Sequence, residues 1–78
     1  MKKIVIYSTN TCPYCTMAKK LLEGKNLTYT EVRVDLDDAE REKMITLSGR
    51  RTVPQIFIDD VSIGGYDDLY AYFKHSQQ

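Results

Sequence analysis

The only two cysteines of this chain stand three positions apart, in Cys12-Pro13-Tyr14-Cys15. A pair at that spacing is suited to thiol–disulfide exchange or to metal ligation. The preceding run Ile4-Val5-Ile6-Tyr7 is apolar and β-rich, and it stops at Ser8-Thr9-Asn10-Thr11, a cluster of turn and capping residues. Pro13 suits a first helical turn, so Cys12 lies where a strand has ended and a helix begins. Backbone N–H groups at a helix start lack intrahelical partners and favour negative charge, which stabilises a thiolate there. Cys15 lies one turn further in on the same face, less favourably placed. This asymmetry assigns attack on a disulfide to Cys12 and resolution of the resulting mixed disulfide to Cys15. A closed zinc site takes four Cys or His ligands, and beyond the pair the chain offers only His75, read as a solvated residue of a polar tail. A cluster shared between two chains, each giving one thiolate, stays open.

The elements that must position the pair follow from periodicity. Residues 13–24 read as a helix with Met17, Ala18, Leu21 and Leu22 on one face and Gly24 as its stop. Residues 28–34 suggest a second strand, with Thr28, Thr30, Val32 and Val34 on one side. Asp37 followed by Glu40 marks a cap for a helix running to about Ser48, with Met44 and Ile45 inward and Gly49 at its end. Gln55-Ile56-Phe57-Ile58 and Val61-Ser62-Ile63 form a hairpin around Asp59-Asp60. After Gly64-Gly65, the residues Tyr66, Leu69, Tyr70 and Phe73 recur at helical spacing. The order is βαβ followed by ββα, which predicts an α/β fold: a four-stranded mixed sheet covered by three helices.

With 78 residues the chain is read as one domain over 1–78. A disulfide between Cys12 and Cys15 would close too short a loop to restrain the unfolded chain much, so the core must carry the stability. Eleven basic and eleven acidic residues balance to zero, which argues against nucleic acid or an anionic membrane as a bulk-charge partner. The N-terminal apolar run is too short for a signal-peptide core or a membrane span, so the expected location is cytoplasmic. In that reducing compartment a Cys-x-x-Cys pair is catalytic or metal-binding rather than structural.

Three segments together, Thr11-Cys12-Pro13-Tyr14-Cys15, Thr52-Val53-Pro54-Gln55-Ile56-Phe57-Ile58 and Gly64-Gly65-Tyr66-Asp67-Asp68-Leu69, make the chain resemble a dithiol glutaredoxin of the thioredoxin-fold superfamily, of the short bacterial type. The match runs essentially end to end. It implies the thioredoxin fold, a redox pair at Cys12 and Cys15, no tightly bound cofactor and glutathione as reducing co-substrate. It also implies a glutathione site built from Tyr14, Arg41, Thr52, Val53, Pro54, Gly65, Tyr66, Asp67 and Asp68. In that site the Val53–Pro54 bond is cis and the Val53 backbone holds the cysteine moiety. The backbone of Tyr66 and Asp67 takes the γ-glutamyl end, and the Asp67 or Asp68 carboxylate faces the ligand's ammonium, the other aspartate being free to cap the helix. Tyr14 flanks the ligand, and Arg41, with Arg50 and Arg51 as further candidates, faces the glycine carboxylate. Thr9 departs from the many members that carry a basic residue three positions before the first cysteine. The thiolate is thereby left to the helix-start N–H groups and Cys15.

The activity the resemblance implies is glutathione-dependent reduction of protein disulfides and glutathione mixed disulfides by a monomer. Its partners would be disulfide-containing or glutathionylated proteins, such as ribonucleotide reductase or methionine sulfoxide reductase. Two alternatives share the fold: a thioredoxin-like redoxin reduced by a flavoprotein reductase, and an iron–sulfur carrier in which two chains and two glutathiones hold one cluster.

Overall fold

The computed structural model describes residues 2–76. Its elements are β1 (Ile4–Ser8), α1 (Pro13–Gly24), β2 (Thr30–Arg33), α2 (Asp38–Ser48), β3 (Gln55–Ile58), β4 (Val61–Gly64) and α3 (Tyr66–Ser76). The sheet order is β2-β1-β3-β4, with β1 parallel to β2 and the other two neighbouring pairs antiparallel. The two central strands read as near-continuous apolar runs because helices cover both their faces, whereas β2 and β4 lie at the edges and are less buried.

Alternation along the central strands divides the core in two. Ile4 and Ile6 of β1 and Ile56 and Ile58 of β3 pack with Ala18 and Leu22 of α1 and with Leu69 and Phe73 of α3. Tyr7 and Phe57, pointing the other way, pack with Val34 and with Met44 of α2. Each fully buried aliphatic side chain here contributes about 1.5–3 kcal/mol. Tyr7 and Phe57 meet edge to face at 5.5 Å, which ties the two central strands beneath α2. None of the helices among the described residues is long and apolar enough to cross a membrane.

Several local expectations shift. The second strand occupies Thr30–Arg33 rather than 28–34, because its ladder is formed with β1 alone and runs only from Val5↔Thr30 to Ser8↔Arg33. Thr28 precedes the strand and Val34 is buried just beyond it. Helix α1 does end at Gly24, but the left-handed residue that reverses the chain is Asn26, at φ 57°. The Leu27 N–H then returns to the Leu22 carbonyl at 3.1 Å. Met17 is partly exposed, unlike the buried Ala18 and Leu22 beside it. His75 belongs to α3 rather than to a polar tail. The hairpin turn has both Asp59 and Asp60 at positive φ (52° and 68°), the conformation that matches the twist of its strands.

Candidate active site

Helix α1 begins as its sequence requires. Cys12 is the N-cap, in extended conformation (φ −116°, ψ 105°), and Pro13 occupies the first turn. The Cys15 N–H donates to Cys12 Sγ at 3.1 Å, the contact a capping oxygen makes elsewhere, and here it places a donor that would favour a thiolate against that sulfur. Cys12 Sγ in turn donates to the Val53 carbonyl at 3.7 Å. Both sulfurs are free thiols.

Burial distinguishes the two. Cys12 is partly accessible, while Cys15 is 1% exposed. Burial, together with the hydrogen bond and charge of Cys12, pushes the Cys15 thiol from 9.0 up to about 12; a backbone hydrogen bond with Thr9 and the charge of Lys19 oppose the rise without cancelling it. One sulfur is thus open to an incoming disulfide, and the other is held neutral behind it.

The loop facing Cys12 runs from Thr52 into β3, and the Val53–Pro54 bond is cis. Gln55 braces this loop: buried at the start of β3, it donates from Nε2 to the Thr52 carbonyl at 3.0 Å and to Thr52 Oγ1 at 3.2 Å. Sequence reasoning took Gln55 only as a strand residue. Its signal is a polar side chain opening a strand whose other members are all buried and apolar.

The start of α3 closes the site. Gly64 sits at φ 120°, and a Cβ there would drive into the Asp68 carboxylate. That carboxylate reaches back to accept the Gly65 N–H at 3.1 Å, one half of a capping box, and accepts from Arg50 Nη1 at 3.3 Å. Asp68 therefore serves as the helix cap. The Asp67 carboxylate is exposed and has no hydrogen-bond partner among the described residues.

An open groove of about 230 Å³ lies between the loop and this corner, lined by Tyr14, Arg50, Thr52, Val53, Pro54, Gly65, Tyr66, Asp67 and Asp68. The fold thus brings together eight of the nine positions expected to hold glutathione. Arg41 does not line the groove; its guanidinium approaches the Arg51 carbonyl at 3.5 Å. Arg50 takes the lining position instead. Tyr14 is exposed at the groove's edge, its ring 6.1 Å from that of Tyr66.

Comparison with known proteins agrees with this geometry. The glutaredoxin family model matches residues 4–63. Glutaredoxin 3 of Escherichia coli K12 is 55% identical over 71 residues, covering 91% of this chain and 86% of that protein. Glutaredoxin 1 of Rickettsia prowazekii is 52% identical over 76 residues, 95% of this chain and 80% of the relative. Among solved structures, the buckwheat glutaredoxin–glutathione complex superposes with a TM-score of 0.87 at 29% identity, over 97% of this chain and 72% of that one. The glutaredoxin of Brucella melitensis gives 0.81 at 41% identity, over 96% and 82%. An accessible capping thiol, a buried partner thiol and a family match across most of the chain lead to one conclusion: this chain belongs to the glutaredoxin family and is a thiol–disulfide oxidoreductase.

Proposed function

We propose that glutathione is the reducing co-substrate, bound in the groove between the Thr52–Pro54 loop and the start of α3 with its sulfur toward Cys12. The observation that carries this reading is the contact of Cys12 Sγ with the Val53 carbonyl, which sets the reactive sulfur against the groove wall. Glutathione carries two carboxylates and one ammonium. The groove offers complementary groups: the unpartnered Asp67 carboxylate for the ammonium, and Arg50 with the N–H groups opening α3 for carboxylate. The Val53 backbone would receive the peptide portion as an added strand.

The chemistry balances in two stages. The Cys12 thiolate attacks the glutathione sulfur of a mixed disulfide; its S–S bond breaks, a Cys12–glutathione disulfide forms, and the substrate leaves as thiolate and takes a proton. A second glutathione thiolate then attacks the sulfur of the bound glutathione, releasing oxidised glutathione and restoring the Cys12 thiolate. For a protein disulfide, Cys12 forms a mixed disulfide with the protein. Cys15 then gives its proton to the leaving thiolate and attacks the Cys12 sulfur, and two glutathiones reduce the resulting Cys12–Cys15 disulfide. The proposed setting is the reducing cytoplasm, where the pair is regenerated as free thiols.

Turnover of a glutathione mixed disulfide and of a protein disulfide, with glutathione or with a flavoprotein reductase as donor, tests the reading. Cys12→Ser loses both activities. Cys15→Ser keeps deglutathionylation and loses the reduction that needs two thiols. Loss of both in Cys15→Ser, or turnover only with the reductase, contradicts it.

A further inference from the structure

A mixed disulfide has two halves, and the groove holds one. The surface beside it is well suited to the other. Six large apolar side chains are exposed among the described residues, and three of them, Tyr14 (58%), Met17 (43%) and Tyr70 (52%), lie on α1 or α3, the two helices that pack on the same side of the sheet. On α1, Tyr14, Met17 and Leu21 recur along one stripe that Lys25, the C-cap, extends; on α3, Tyr66, Tyr70 and Lys74 do the same. The rings of Tyr14, Tyr66 and Tyr70 form a ladder with steps of 6.1 and 6.4 Å, leading away from the cysteine motif. At its far end a hollow of about 170 Å³ is lined by Leu21, Lys25, Tyr70, Phe73 and Lys74. The Lys25 ammonium lies 5.3 Å from the Phe73 ring centre. Lys3, Lys19, Arg33 and Arg50 each pair with a carboxylate, but neither Lys25 nor Lys74 has an acidic partner among the described residues.

We propose that this seam docks the protein half of the mixed disulfide, as an extended acidic segment adjoining the partner's reactive cysteine, with an apolar side chain in the hollow and a carboxylate on Lys25 and Lys74. The inference rests on the thiol–disulfide reading for its starting point at Cys12. Charge complementarity selects the occupant: two unneutralised ammonium groups at the end of an aromatic track favour an acidic segment and disfavour a basic one. Helix rise sets the spacing. Leu21 lies nine residues beyond Cys12, ~14 Å along α1, and Lys25 thirteen, ~20 Å. An extended chain advancing ~3.4 Å per residue covers these distances in about four and six residues. Glutathione itself is too short to reach the hollow, so the selectivity belongs to peptide and protein substrates alone.

The test uses synthetic peptides with one glutathionylated cysteine, a leucine four residues away, and Asp or Lys six residues away, arranged toward either terminus. The mixed disulfide of glutathione and mercaptoethanol serves as the small-substrate reference. Expected is a KM about tenfold lower for the Asp peptide than for the Lys peptide in one of the two arrangements, a difference that shrinks with added salt. The double variant Lys25→Gln, Lys74→Gln removes the preference, Lys25→Glu, Lys74→Glu inverts it, and both turn over the small substrate at the unmodified rate. Equal KM values in both arrangements, or a preference that survives charge reversal, overturns the docking proposal. Failure of the unmodified protein to turn over the small mixed disulfide would contradict the redox reading beneath it instead.

Discussion

The neutrality of the buried thiol can be tested directly. In Cys12→Ser the only remaining thiol is Cys15, and its alkylation by iodoacetamide reports its thiolate fraction. A thiol near 9.0 is about one part in a hundred thiolate at pH 7, and one near 12 about one in 10⁵, a thousandfold loss. The more basic thiolate is also the better nucleophile. With a Brønsted slope of about 0.4–0.5 it regains roughly 15–30-fold, leaving a net slowing of about 30–60-fold before access is considered. Replacing Cys12 removes its share of the upward push but leaves burial, the first cause; the 1% exposure of Cys15 adds steric protection. The expected outcome is alkylation at least about tenfold slower in the folded variant than in the same chain unfolded in urea. Its rate should still be climbing beyond pH 10. A folded rate within threefold of the unfolded one, or a plateau starting near pH 9, refutes the reasoning. The sign for stability follows: a thiol whose folded value is raised adds stability that is fully present below about 9 and lost as pH rises toward about 12. Cys15→Ala should flatten the alkaline limb of a stability–pH curve.

Three further outcomes are expected. Leu22→Ala empties a fully buried position between α1, α3 and the sheet. It should cost about 2–5 kcal/mol and lower Tm by roughly 4–8 °C per kcal/mol, which thermal unfolding would check. Gly64→Ala should destabilise more than Gly49→Ala: both sites have positive φ, but a Cβ meets the Asp68 carboxylate at Gly64 and nothing within 4 Å at Gly49. Denaturant midpoints of the two variants decide this, and equal midpoints would contradict the clash. Arg33 holds the Asp35 carboxyl down at about 2, so the pair's contribution is present above about 3.8 and is lost as pH falls through about 2; Arg33→Gln should return the Asp35 titration, followed by NMR, toward its usual value.

The redox pair and its place at the opening of α1 were legible in the sequence, because the start of a helix is a local feature. Ser8 to Thr11 end the strand, Pro13 opens the helix, and the capping position goes to Cys12 with Cys15 one turn inside. The hairpin at Asp59-Asp60 and the stop at Gly49 were legible for the same reason: each depends on a few adjacent residues adopting backbone angles that their side chains allow. The extent of β2 was not. Its length is set by how much of β1 stands beside it, and pattern along one segment carries no information about its neighbour.

The groove shows the same division. The three segments marked its parts by resemblance, yet the choice between two aspartates waited on distance: Asp68 turns back to Gly65 and Arg50, which leaves Asp67 free. Arg50 rather than Arg41 lines the wall because the turn after α2 carries it across to α3, a contact eighteen residues apart in the chain. Gln55 gained its bracing role, and Met17 its exposure, from what packs around them. The sequence by itself determined which residues form the redox pair and that the pair stands at the start of a helix, through residue type and short-range backbone geometry. Only the tertiary structure decided which side chains surround those atoms, because burial, charge pairing and the walls of a groove arise from segments that meet only when the sheet is assembled.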